Sequence, residues 1–506
     1  MKRIYILLLA ILSIVLPNIL FTSCVEDEDF ATDSSINLKF SSDTLSFDTI
    51  FTTVGSITKQ IRVFNPENSP IKIDRITLGG GNSSYFRLNV DGDTSLVAKD
   101  IEIAAKDSIF IFVRVELEPN NQNNPLLIQD SIILSFNNKE QYVQLMAYGQ
   151  DAYFHKPSHV LGNGDNQILY SLVNEGGTDC GVDVSGNNVT WRTDKPHVIL
   201  GTCVVDSAFT LNLQSGTNIY MASGADFWVY TGGSLQAQGT TNAPVKFTSL
   251  RHQDRYSDIP GQWGKIWFWA GSMDNVLDNV VIKNAFNGIQ VDSCVTNNPT
   301  IHISNSFIQN CSNVGLYSQG ATIEAENLII QNTGNYSLAL TIGGSYRFIN
   351  CTFANYWFYD TSRKRATVFM NDWYESIGHE IQIRPITRAE FYNTVIYGTL
   401  AGDEIEFDLI DDGIHSNYSF DHCLLKTSSL NSSSANISNC IFNIDPLFAD
   451  PTNNDLHPME NSPLIDAGNG VWNSLIAFDI YGVLRNDPPT IGAVEYTATN
   501  QIRQRL

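Results

Sequence analysis

Cationic side chains are scarce in this chain: 30 Lys and Arg stand against 53 Asp and Glu, and only 16% of residues are charged. At a net charge of −23 it repels nucleic-acid phosphates at long range, so neither DNA nor RNA is expected as a partner. Metal-ligand spacing is missing as well. Among eight cysteines no C-x-x-C pair occurs, and no zinc-helix motif, P-loop or dinucleotide fingerprint is present. Gly162-Asn163-Gly164 is no phosphate loop, because no helix follows it. No metal site and no cofactor are expected. Long apolar runs are absent except for Ile4 to Leu20, and roughly 17 residues fall short of the roughly 20 that span a bilayer.

That run follows Lys2 and Arg3 and ends at Phe21-Thr22-Ser23-Cys24, the arrangement of a secretory signal rather than a structural helix. Cys24 after Thr-Ser resembles a lipobox, with Phe21 where the family usually has Leu. The resemblance implies lipidation at Cys24 and removal of residues 1–23, which takes the charge to about −25. The following Val25-Glu26-Asp27-Glu28-Asp29 resembles the export signal of surface lipoproteins of the Bacteroidota. The expected location is therefore the outer membrane, held by a lipid anchor and facing outward. An acidic solvated linker over 24–35 is the plainer reading of the same stretch.

Residues 36–150 read as a small β-sandwich. Gln60-Ile61-Arg62-Val63-Phe64, Ile71 to Ile76 and Ser108 to Val113 alternate with the strand period, and Gly, Asn and Pro clusters punctuate them. The order of these strands, closing on Leu145-Met146-Ala147-Tyr148-Gly149, resembles immunoglobulin-like modules of cilia-associated and bacterial surface proteins, which act as spacers or binding domains.

From about 155 a repeat takes over. Asp278-Asn279-Val280-Val281-Ile282-Lys283-Asn284 recurs as Ser304 to Asn310, Glu326 to Asn332 and Ile349 to Asn355, with looser copies at Asn393, His422 and Asn439. The leading position steps by 26, 22 and 23 residues, then by 43, 29 and 17. Such a period marks a solenoid. Alternation persists for only four or five residues, and a unit has no room for a ten-residue helix. Three short strands per coil, stacked about 4.8 Å apart, satisfy both facts. The repeated Asn is expected to point inward and to bond its copies above and below. The next position holds Val280, Ser306, Leu328, Cys351, Thr394, Cys423 and Cys440, small or apolar as an interior stack requires, so these cysteines read as reduced core residues. Whether Cys180 and Cys203 pair is left open.

The coils from Leu211-Asn212-Leu213 to Ala243-Pro244-Val245-Lys246-Phe247 resemble the pectin-lyase-like family. The end, from Asp445-Pro446-Leu447-Phe448 through Asp466-Ala467-Gly468 to Ile491-Gly492-Ala493-Val494-Glu495, resembles the closing segment of surface lipoproteins built on that scaffold. The expected fold is all-β: a right-handed parallel β-helix over 155–496, ending in a capping motif that covers the last coil, preceded by a small immunoglobulin-like β-sandwich. Residues 497–506 form a tail.

Two stretches break the repeat, and departures from a repeat are where function concentrates. Residues 251–273 contain Trp263, Trp267 and Trp269; alternation sends the last two to one face and Phe268 to the other, which reads mainly as a strand entering the coil. The excess between Asn350 and Asn393 contains Trp357, Tyr359, Trp373 and Tyr374, whose rings could stack on a sugar or equally pack an inserted loop. Lys364, Arg384 and Arg388, with His379 or Tyr374 as acid or base, are the candidates for a uronate lyase, though solvated loop charges explain them as well. Asp411 and Asp412 resemble the paired aspartates of a polygalacturonase, without its further His and Arg-x-Lys elements. Asp403, Glu404, Glu406 and Asp408 read as a strand with an acidic outer face. No complete catalytic set assembles. A glycan or polysaccharide is the expected partner, the membrane is reached through the anchor, and lyase, hydrolase or purely adhesive roles stay open.

Overall fold

The structure, a computed structural model, describes residues 29–51, 56–117, 126–164, 167–251, 256–293, 299–359, 363–410 and 416–498. Cys24, Asp411 and Asp412 lie outside them. The protein is all-β, and the chain divides into two compact units, 1–151 and 152–506.

The first unit is a two-sheet sandwich. One sheet orders Lys39–Phe40, Lys59–Phe64, Ser108–Val115 and Phe86–Val90; the other orders Thr44–Phe51, Lys139–Gln150, Leu126–Phe136, Ile71–Leu78 and Val97–Ile103. All pairings are antiparallel except that of Thr44–Phe51 with Lys139–Gln150. The alternation seen in the sequence buries Ile61, Val63, Ile111 and Val113 between the sheets, together with Phe47 and Phe86.

The second unit winds. Apart from a few antiparallel pairs, such as Val182–Ser185 with Asn188–Trp191, its strands pair in parallel with the strand one coil further on, and three such stacks run along it. In the first stack the register Leu277, Ile303, Ala325, Phe348, Phe391, Phe420, Ile437 is unbroken. The second stack runs through Val280–Lys283, the C-terminal halves of Ile301–Cys311 and Thr322–Thr333, Thr352–Asn355 and Val395–Gly398. The third runs through Phe227–Val229, Ile266–Phe268, Ile289–Asp292, Leu316–Gln319, Leu338–Thr341, Val368–Asn371 and Ile405–Asp408. This coil-by-coil parallel pairing is compatible with a parallel β-helix. Identical positions superpose at strand spacing, so Phe348, Phe391 and Phe420 stack face to face at 5.1 and 4.8 Å inside the coil. Val280, Leu328, Cys351 and Cys423 lie in the same interior core, and Cys440 packs against it. Cys180, Cys203, Cys351, Cys423 and Cys440 are all free thiols.

The repeated Asn does not point inward. Asn279, Asn305, Asn327, Asn350, Asn393 and Asn439 form the corner between the first and second stacks with φ from 47° to 52°, and His422 takes the same conformation at 50°. Asn tolerates this left-handed bend better than other side-chain-bearing residues, which is why it recurs. The expected ladder exists, with Asn327 Nδ2 donating to Asn305 Oδ1 and Asn393 Nδ2 to Asn350 Oδ1, each at 2.9 Å. It runs outside the coil, because the same amides also donate to Phe478 O and Asn469 O of the C-terminal segment.

That segment is likewise displaced from its expected place. Residues from Phe448 to Val494 lie back along the flank, where Phe448, Leu456, Leu464, Ile480 and Ile491 cover the outward-facing Val281, Phe307, Ile329, Val395 and Leu424 of the second stack. Leu430, from the loop after the second stack's Leu424–Leu425, belongs to the interior core near its final layers.

Candidate functional site

Outward alternation on the second stack places Lys283, Gln309 and Gln331 in one register row, beside the row of Val281, Phe307 and Ile329. Where the flanking C-terminal segment leaves the polar row uncovered, a cleft of about 480 Å³ opens, within the usual range for small-ligand pockets. Its floor is Lys283, Gln309, Gln331 and Phe307. One wall comes from Ser257, Asp258 and Phe358, the other from Asp450, Thr452, Asn453, Asn454, Asp455, His457 and Tyr481.

A second row of repeated Asn holds both walls. Asn284, Asn310 and Asn332, with φ of 67°, 57° and 53°, make the corner leaving the second stack. Asn284 Nδ2 donates to Ser257 O at 2.9 Å and Asn310 Nδ2 to Asp258 Oδ1 at 3.1 Å, while Asn332 Nδ2 donates to Asn454 Oδ1 at 2.5 Å. Lys283 Nζ sits 2.8 Å from Asp258 Oδ1. Burial pushes the Asp258 carboxyl up, but Lys283, Ser257 and Asn310 outweigh it and hold the group below the usual carboxylate range. On the opposite wall His457 Nδ1 meets Asp455 Oδ1 at 2.7 Å and its ring stacks on Tyr481 at 4.9 Å.

Gln331 is 2% exposed. Its Nε2 donates to Gln309 Oε1 at 3.0 Å and faces Asn454 O at 3.5 Å, so two acceptors fix the amide's orientation. Its Oε1 is buried and has no hydrogen-bond partner among the described residues, an arrangement that costs about 1–3 kcal/mol. Phe358 is 50% exposed and stacks on Tyr359 at 4.5 Å, leaving an aromatic face toward the cleft.

The residues expected from the sequence are divided by the structure. Trp357 and Tyr359 pack together at 4.9 Å in the loop that follows the second stack's Thr352–Asn355. Tyr359 Oη donates to Asp258 O, and burial raises its pKa to about 12. This pair therefore props the cleft wall. Trp373 and Tyr374 belong instead to a hairpin, Trp373–Glu375 with Ile381–Ile383, that follows the third stack's Val368–Asn371. Trp373 Nε1 donates to Asp408 Oδ1 at 3.2 Å, and Arg384 lies 5.9 Å from the Tyr374 ring centre. The four rings do not make one platform.

The cations are scattered too. Arg388 pairs at 3.1 Å with Glu324 on the first stack, and Glu324 also takes Arg347 at 3.1 Å. His379 sits near the hairpin tip, its side chain 88% exposed beside Glu375, and Lys364 is exposed on the loop. Arg363 is a structural group whose Nη1 and Nη2 donate to Glu404 at 2.8 and 2.5 Å. Glu404 is thus fully buried and not on an acidic outer face. Among the described residues no cluster of three or more His, Cys, Asp or Glu is placed to hold a metal.

Trp263 is buried and donates to Lys283 O at 2.9 Å. Trp267 and Trp269 share the outer face of the third stack, opposite the buried Phe268. Lys265 at 4.0 Å and Trp269 at 4.3 Å flank Trp267, so these indoles pack on one another and do not lie open as a platform.

Phe358, Gln309, Gln331, Asp455 and His457 escape a sequence reading. The glutamines sit inside the repeat, where they look like any outward polar position, and a fold-back some 120 residues later supplies the far wall.

No family model matches this chain, and no curated protein matches it either. Similar solved structures include a family 123 glycoside hydrolase from Clostridium perfringens, 9% identical over 23% of this chain and 27% of that one, with a TM-score of 0.18. The YadV chaperone is 13% identical over 25% of this chain and 55% of its own, at a TM-score of 0.17. The Agl-KA catalytic domain is 11% identical over 78% and 84%, at 0.15. The chain thus spans about a quarter of the hydrolase and about half of the chaperone.

Proposed function

We propose that this chain is an exported, lipid-anchored surface protein of the pectin-lyase-like β-helix type that binds carbohydrate in the cleft on its second stack. The basic residues, apolar run and Cys24 support export and anchoring, and the acidic stretch behind Cys24 supports an outward-facing position on the outer membrane. The observation that carries the binding reading is a half-exposed Phe358 ring beside the polar groups of Gln309, Asn453, Asp455 and His457 in one cleft. A pyranose offers C–H faces to a ring and hydroxyl donors to acceptors, and both are present here. Catalysis has weaker support. Lys364 and Arg388 lie away from the hairpin that carries His379 and is followed by Arg384, and a uronate lyase needs its cation and base within reach of one sugar.

The test uses glycan retention on the solubilised full-length chain, with Phe358→Ala and Gln331→Leu each expected to weaken retention about tenfold. Retention unchanged in both variants for every glycan that binds the parent ends this reading.

A further inference from the structure

We propose that Cys423 and Cys440 are a redox pair, oxidised by a small-molecule disulfide to a cross-link that staples the final coil of the winding unit to the coil before it. Register sets the pair. Asp421 faces Ser438 and Leu424 faces Ile441 across adjacent coils, and Ile441 N donates to Cys423 O at 2.8 Å, so the two cysteines stand opposite each other. Stacked strands lie about 4.8 Å apart, inside the roughly 4.4–6.8 Å between Cα atoms that a disulfide spans. Cys351 occupies the same column, but Thr394 separates it from Cys423, and two coil spacings exceed that reach.

The two thiols differ in the way disulfide exchange requires. Cys440 is partly exposed, and its Sγ donates to Phe420 O at 3.5 Å, leaning on the coil that holds Cys423. The Cys423 thiol beside it holds the Cys440 thiol below its ordinary value, against the effect of burial. Cys423 is fully buried, and burial, with Cys440 adding to it, pushes its thiol up. Cys440 is therefore the attacking group and Cys423 the resolving one. The Cys440 thiolate displaces one thiolate from the small disulfide and leaves a mixed disulfide on Cys440. The Cys423 sulfur then attacks the Cys440 sulfur, its proton passing to the second thiolate as that group leaves. Two cysteine thiols and one small disulfide become one protein disulfide and two small thiols, with two electrons passing to the reagent.

The bond would form where the stack is weakest. The long stacked sheet ends at Ile437–Ser438 and Ile441–Phe442. An end coil opens more readily than an inner one, and the loop between the two cysteines carries exposed Ser428, Ser429, Asn431 and Ser433. A cross-link closes that loop and ties its far end to the penultimate coil.

The experiment incubates the full-length chain with oxidised glutathione, alkylates the remaining thiols under denaturing conditions and maps the peptides by mass spectrometry. The expected product joins Cys423 to Cys440. Cys423→Ser should instead accumulate glutathione on Cys440, and Cys440→Ala should leave Cys423 unmodified. Backbone hydrogen exchange over Ile437 to Phe442 should slow about tenfold on oxidation and recover with dithiothreitol. The unaltered protein decides the matter even where a variant fails to fold. Both cysteines alkylated after oxidation, or Cys423 joined to a different cysteine, overturns the pair. A Cys423–Cys440 bond that leaves exchange over Ile437 to Phe442 unchanged overturns its role as a staple.

Discussion

At the scale of single residues, a buried and hydrogen-bonded histidine pair sits within the early coils. Trp191, fully buried, stacks against both His155 at 4.1 Å and His197 at 4.4 Å, whose rings lie 5.2 Å from each other. His197 Nε2 donates to Arg192 O, so its Nδ1 accepts, and His155 Nε2 is the donor across the 2.9 Å contact. Burial drives both imidazoles toward neutrality, His197 down to about 4 despite the opposing Arg192 carbonyl and Asp194 carboxylate, and His155 well below its ordinary value. In the unfolded chain both return to about 6.5, so between these values the unfolded state binds more protons. Stability is therefore full above about pH 6.5 and falls as the pH drops toward 4, by about 1.4 kcal/mol per pH unit for each proton. Thermal melts from pH 7 to 4.5 should show this slope, and His197→Phe should flatten it; a slope identical in parent and variant would remove the assignment.

At the scale of the element, the decisive unit is the Asn corner. Its recurrence has a local cause, the left-handed backbone, and at some coils a second cause in the bonds the amide makes. The two separate cleanly between Asn393 and Asn439. Asn439 is exposed with φ of 52°, so Asn439→Gly, which keeps the conformation, should leave stability within about 0.5 kcal/mol. Asn393 is buried, donates to Asn350 and Asn469 O, and accepts from Asn469 N at 2.7 Å. Asn393→Gly should cost about 2–3 kcal/mol in denaturant unfolding, since the bend survives but buried partners are stranded. Equal effects at the two sites would show that the ladder contributes nothing beyond its turn.

At the scale of the winding unit, an ordinary coil face has been turned into a second core. Outward positions of a solenoid strand are normally polar, yet Val281, Phe307, Ile329, Val395 and Leu424 are apolar and are covered by the returning C-terminal segment. Arg485 secures that segment, fully buried, donating to Asn327 Oδ1 at 2.7 Å and lying 3.6 Å from Glu495. Ending the chain at Asn443 should expose this row and remove one wall of the cleft. The shortened protein should bind a hydrophobic dye and self-associate, as contiguous apolar patches do. A monomeric, dye-negative product would show that the row is not the segment's binding surface.

Local pattern alone determined the all-β class, the coil period, the interior identity of Leu328, Cys351 and Cys423, and the sandwich strands, because period-two alternation and regular spacing are carried within a few residues. It also marked the two interruptions of the repeat. Tertiary structure alone decided that the Asn ladder faces outward, that Glu404 is buried against Arg363, and that Trp357 and Trp373 belong to different places. It alone built the cleft, whose floor lies in the repeat at Gln309 and Gln331 and whose far wall is His457 and Asp455. The physical reason is sequence separation: a corner's conformation is chosen by its own residues, whereas a cavity exists only once segments more than a hundred positions apart have packed against each other.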